Sequence, residues 1–124
     1  MNGFVGHIEK LTLENKDYRR VLFTGKHSQL VVMTLQPKHE IGEEVHDTHD
    51  QFFRIEAGEC TIIMDGKHFA LKDGMAAIVP AGIKHNVINS SSEKELKLYT
   101  IYSPAEHPPG TVHRTKADAE KAHH

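Results

Sequence analysis

The side chains able to do chemistry gather in two places. Glu44, His46, His49 and Gln51 lie close together, and His85 opens a polar run that ends at Asn89. In an extended strand, residues two apart share a face, so Glu44 and His46 project together while Glu43 and Val45 project the other way. By the same rule Gln51, Phe53 and Ile55 share a face, as do His85, Val87 and Asn89. If a curled sheet brings these faces together, Glu44, His46, Gln51 and His85 converge, offering two imidazoles, a carboxylate and an amide oxygen. That set suits one divalent transition metal, Mn, Fe, Co, Ni or Zn, because imidazole favours these ions and oxygen donors do not exclude them. Coordination positions left open would take water or an oxygen-bearing substrate. The competing readings are a solvated acidic pair for Glu43 and Glu44, and for Gln51 an amide that orients a histidine. His49 belongs to the site if the turn bends it inward, either as an alternative ligand or as the catalytic proton-transfer group.

Strands must hold these residues. Residues 29–36 form a nearly continuous apolar run, which predicts a central strand covered on both faces. Residues 51–56 and 60–64 follow, then a hairpin turn at Asp65 and Gly66 with residues 67–71 returning. Asp73 and Gly74 turn into the apolar run 75–79, and Pro80, Ala81 and Gly82 turn again before the strand that begins at His85. Residues 96–102 complete the set. Strands recurring every ~8–12 residues between turn signals indicate an all-β sandwich or barrel of about six to eight strands. Residues 7–15 also alternate roughly and are expected to form an edge strand. The single helix expected is 116–122, with Thr115 and Asp118 spaced for a capping box.

The segment around His85 matches the pattern G-x5-P-x-G-x2-H-x3-N at Gly74, Pro80, Gly82, His85 and Asn89. In this it resembles the cupin superfamily. The companion motif G-x5-H-x-H-x3,4-E-x6-G is followed less closely: Glu44 stands at its first histidine, His46 at its second, Gln51 at its glutamate and Gly58 at its closing glycine, while Gly42 is nearer than prescribed. The resemblance spans roughly residues 30–102. Residues 50–54 are also similar to small single-domain bacterial cupins labelled mannose-6-phosphate isomerase-like. It implies a single jelly-roll-like β-barrel (double-stranded β-helix) domain over 1–124, with its core at about 20–103 and residues 104–124 as a C-terminal arm. It further implies metal-dependent isomerase- or lyase-type chemistry on a sugar, sugar acid or keto acid. Dioxygenases and non-catalytic binding or sensing barrels share the frame, and fold alone does not choose among them.

Composition narrows the partners. A formal charge of -2 gives no field that would draw the chain to nucleic acid or an anionic membrane. No stretch reaches the ~18 apolar residues of a membrane span, and no secretory leader is evident. With one cysteine, Cys60, set in an apolar run, a buried inert thiol and a cytoplasmic location are expected. The expected partner is a small molecule, together with a second copy of the chain, because apolar edge strands need cover. Of the 11 histidines, His7, His27, His39 and His68 read as surface residues, and the terminal pair His123 and His124 as incidental. His107 and His113 belong to the Pro-rich arm, which either closes over the barrel mouth or packs on a neighbour.

Overall fold

The computed structural model describes residues 2–122; His123 and His124 lie outside them. Two antiparallel sheets face one another. In chain order the elements are α1 (Ile8–Glu14), β1 (Arg19–Thr24), β2 (Gln29–Leu35), β3 (Asp50–Ala57), β4 (Glu59–Met64), β5 (Lys67–Lys72), β6 (Ala76–Val79), β7 (His85–Asn89), β8 (Leu96–Ser103), β9 (Val112–His113) and α2 (Lys116–Ala122). The six-stranded sheet runs β6-β3-β8-β2-β1-β9 and the three-stranded sheet β5-β4-β7. The expected all-β barrel is therefore the observed architecture, with β9 of the arm adding a strand beyond the number anticipated.

Alternation along each strand builds the core. Phe53 and Ile55 of β3, Leu96 and Leu98 of β8, and Val31, Met33 and Leu35 of β2 bury one face against Cys60 and Ile62 of β4, Leu71 of β5 and Val87 of β7. Gln51, Phe53 and Ile55 do share the inner face, as do His85, Val87 and Asn89. The buried Cys60 thiol is pushed up to about 12 by desolvation, which leaves it protonated and inert. In β2 the opposite face is covered as well, since Val32 and Thr34 are buried too.

Part of that second cover is α1, which packs on β8, β3 and β2 where an edge strand was expected. The segment is helical because its inward residues, Ile8, Thr12 and Asn15, fall at the i, i+4, i+7 spacing of a helix face. Two of the three are polar, so their burial leaves no mark in the hydrophobic pattern. Thr12 donates back to the Ile8 carbonyl (2.7 Å). The Asn15 amide reaches the Asp17 carbonyl (2.8 Å) and the Thr34 hydroxyl (3.2 Å), and Lys97 Nζ donates to the Asn15 carbonyl.

The turns follow their residue types. Asp65 and Gly66 both have positive φ, 50° and 80°, as a two-residue I′ hairpin requires. The capping residue of α2 is Thr115, whose hydroxyl accepts from the Asp118 N–H (3.1 Å). Residues 43–46, expected to resume a regular strand, instead touch β7 through one isolated bridge at Glu44, which follows another at Glu40. Gly42, with φ of 109°, breaks the register between them. Asn89, at the end of β7, is fully buried, donating to the carbonyls of Leu35, Gln36 and Lys94 and accepting from Ser91 N–H. Among the described residues no helix is long and apolar enough to cross a membrane.

Gly58 and Gly66 separate two costs of a side chain. Both have positive φ, but a Cβ at Gly58 would lie 2.7 Å from the Glu95 carbonyl oxygen, whereas one at Gly66 meets nothing within 4 Å. Gly66→Ala is expected to lose about 1–2 kcal/mol from left-handed strain alone. Gly58→Ala should lose at least about 3 kcal/mol, since backbone must also move. Denaturant unfolding of the two variants side by side checks this, and equal losses would contradict it.

Candidate metal centre

The turn before His85 decides what its imidazole can do. Gly82, at φ of 85°, donates its N–H to the His46 carbonyl (2.9 Å), and Ile83 N–H closes onto Pro80 O (3.2 Å). The Ile83 carbonyl then lies 3.0 Å from His85 Nδ1. Because a carbonyl only accepts, Nδ1 carries the proton and Nε2 keeps its lone pair. His85 is buried, and its Nε2 has no hydrogen-bond partner.

Glu44 reaches the same place by pairing with His85 through both backbone hydrogen bonds, 2.8 and 2.9 Å. His46 follows two residues later on the same side. Its Nδ1 lies 2.8 Å from Glu106 Oε2, and its Nε2 faces Glu44 Oε1 at 3.6 Å, too far for a good hydrogen bond. The donor atoms of Glu44, His46 and His85 all lie within 4.8 Å of one another. One ion at about 2.0–2.3 Å from each spans such a group with little movement. Gln51 projects into the same interior. Its Nε2 donates to the buried Thr100 hydroxyl (3.0 Å), which leaves the buried Oε1 without a partner. Tyr102, its register neighbour on β8, stands edge-on to His46 with ring centroids 5.9 Å apart.

His49 is engaged differently. Its Nε2 lies 2.9 Å from the Ala105 carbonyl and its Nδ1 3.2 Å from the Thr48 hydroxyl. The ring is 5.7 Å from that of His46, and its donor atoms form a second close group with His46 and Glu106. In this state it fastens the arm at the rim. His7, His27, His39 and His68 are all exposed, as expected.

Two charged residues beside the candidate site, Glu106 and Arg19, were not singled out from the sequence. Glu106 belongs to the arm, which the Gln29 side chain clamps from within: Gln29 Oε1 accepts from the backbone N–H groups of Glu106 and His107 (3.1 and 3.0 Å), and Nε2 donates to the His107 carbonyl (2.7 Å). The readable signal was a carboxylate in a Pro-rich segment able to close over the barrel mouth. Arg19 begins β1 and is 3% exposed.

These charges act on one another. Burial pushes the Glu44 carboxyl up, but the His46 contact and the charges of His46 and Arg19 outweigh it and hold Glu44 below the usual range. The facing Glu44 carboxylate raises His46 against its burial, with Glu106 adding to the rise. In metal-free protein the His46 contribution is therefore fully present below its ordinary value of 6.5 and lost as pH rises through its raised value. The Glu44 contribution is present above 4.5 and lost as pH falls through its lowered value. Denaturant unfolding of apo protein should show the pair's stabilisation greatest between about pH 4.5 and 6.5. His46→Gln should flatten that profile, and a wild-type profile already flat would contradict it.

Comparison with known proteins agrees with this architecture. A cupin domain model matches residues 31–102. The chain is 46% identical over 125 residues to the uncharacterized protein YrkC of Bacillus subtilis, covering 96% of this chain and 67% of that one. It is 48% identical over 113 residues to the uncharacterized protein L612 of Acanthamoeba polyphaga mimivirus, covering 88% and 70%. The crystal structure of BH2720 from Bacillus halodurans superposes with a TM-score of 0.94 at 41% identity, covering 97% of this chain and 95% of that one. With His85 and Asn89 inside the matched domain and the two-sheet barrel shared with a solved relative, this chain belongs to the cupin family.

Proposed function

We propose that Glu44, His46, Gln51 and His85 hold one divalent transition metal and that the protein uses it on a small, oxygen-rich metabolite. The observation that carries this reading is a set of orphaned donors: His46 Nε2, His85 Nε2 and Gln51 Oε1 are all buried without a hydrogen-bond partner. Leaving such a group unsatisfied costs about 1–3 kcal/mol, and a cation answers all of them at once. Mn, Fe, Co, Ni and Zn fit this donor set. When bound, the ion supplies Lewis acidity toward a carbonyl or hydroxyl oxygen.

The rest is done by the chain. Glu106 and the Ile83 carbonyl fix the proton of each histidine on Nδ1, which orients the rings and strengthens Nε2 as a donor. Tyr102 and Phe53 wall the imidazoles with apolar surface and exclude water. For proton transfer, His49 and Glu106 stand beside His46, and release of the Ala105 contact frees His49 Nε2 for that role. This favours isomerase- or lyase-type chemistry, of the kind implied by the mannose-6-phosphate isomerase-like label of similar small cupins. The substrate class is a sugar, sugar acid or keto acid. In this reading the protein works in the cytoplasm as a homodimer. Pairing is supported by an apolar row across the outer face of the larger sheet, Ile78, Phe52, Ile101 and Leu30, adjacent in register, in which Ile78 is 62% exposed.

Elemental analysis after reconstitution should find about one equivalent of metal in the wild type and less than about a tenth in His46→Ala and His85→Ala. Wild-type content as low as the variants' removes the proposal. Glu106→Gln keeps the ligands but is expected to weaken metal affinity about tenfold to a hundredfold. Turnover of uronate, keto-acid and sugar-phosphate panels, with and without oxygen, separates an isomerase or lyase from a dioxygenase. Saturable binding without product across the panels identifies a sensing barrel.

A further inference from the structure

Glu106 also lines a cavity of about 410 Å³, together with Arg19, His107, Thr111, His113 and Ala122 among others. Its walls come from β1 and the arm, outside the part of the chain matched by the cupin domain, 31–102. Arg19 dominates it. The side chain is 3% exposed, yet no carboxylate among the described residues forms an ion pair with it. Its Nη1 lies 3.2 Å from His113 Nδ1, its guanidinium sits 5.2 Å from the Tyr18 ring centroid, and its Nε is buried with no hydrogen-bond partner. A guanidinium cannot shed its proton to escape burial, so a site of this kind asks for an anion. Glu106, on the same cavity wall, lies 2.8 Å from His46 Nδ1, which places the cavity on the border of the metal-binding group. By contrast the cleft at the opposite end of the strands, lined by Gly58, Lys72 and residues 90–94, offers only partly or fully exposed loop side chains.

We propose that this cavity is a carboxylate subsite, in which Arg19 receives the acid group of a small organic acid while the rest of the molecule extends past Glu106 toward His46 and His85. The second half of this assignment rests on the metal reading above; the first stands on Arg19 alone. A planar carboxylate matches the guanidinium fork. A single guanidinium with Glu106 on the same wall favours a monoanion over a dianionic phosphate. Pro108, Ala119 and Ala122 on the remaining wall suit a short carbon chain. Of the proposed substrate classes, sugar acids and keto acids carry the group this subsite takes and neutral sugars do not, and simple hydroxy acids join them.

Calorimetric titration tests this with L-lactate, its uncharged counterpart lactamide, and inorganic phosphate. Each is added to chelator-treated and to zinc-loaded protein. Lactate should bind wild type in both states, at least about tenfold tighter than lactamide. Arg19→Gln should weaken lactate at least about tenfold and leave zinc stoichiometry unchanged. Ala122→Trp, at an exposed position that lines the cavity, should do the same by filling it; it carries the test if circular dichroism shows Arg19→Gln unfolded. Lactamide binding as well as lactate, or folded variants that bind lactate like wild type, overturns the subsite. Phosphate binding tighter than lactate overturns the choice of carboxylate. Failure to take up zinc, with lactate still dependent on Arg19, sinks the metal reading and leaves the subsite standing.

Discussion

Everything in this site depends on where two protons are held. His46 and His85 each have Nδ1 tied outward, one to the Glu106 carboxylate and one to the Ile83 carbonyl, so both Nε2 lone pairs turn to the same buried point. The two ties come from separate parts of the chain. Ile83 belongs to the turn fixed by Pro80 and Gly82, whose N–H also grips the His46 carbonyl. Glu106 arrives with the arm, which β9 docks beside β1 and the buried Gln29 amide clamps. Ring orientation is thus set by backbone that is itself part of the barrel.

The same arrangement concentrates charge where a core would not want it. Glu44, His46, His85 and Glu106 gather at the end of the barrel where Gln51 begins β3 and Tyr102 lies near the end of β8, with orphaned donors among them, and the buried Arg19 adds its charge from β1. Unsatisfied buried groups destabilise, so the apolar rows must carry the fold. They do so farther along the same strands: Phe53 and Ile55 beyond Gln51, Val87 beyond His85, Leu96 and Leu98 before Tyr102. β3, β7 and β8 are therefore each divided between an end that holds the barrel together and an end at the candidate site. Gln51 and His85 alternate in register with the core residues and are kept rigid by them.

Much of this was legible because it is local. The inward faces of β3 and β7 follow from period-two alternation, the Asp65 and Gly66 hairpin from two residues that tolerate positive φ, and α2 from Thr115 and Asp118. What could not be read rests on contacts between distant segments or on polar burial. Helix α1 hides its inner face because Thr12 and Asn15 are polar. Residues 39–46 follow β7 irregularly because Gly42 shifts the register, which no alternation reveals. Glu106 meets His46, and Arg19 meets His113, only once the arm has folded back across the barrel.

The central claim is that both imidazoles bind one ion through Nε2. Its most direct measurement is pulsed electron paramagnetic resonance of protein reconstituted with Cu(II), compared with His46→Ala and His85→Ala. The account predicts modulation from two equatorial imidazoles in the wild type, each showing a remote protonated Nδ1, and from a single imidazole in whatever weak complex either variant still forms. A wild-type spectrum with no imidazole nitrogen, or one unchanged by both substitutions, would contradict it.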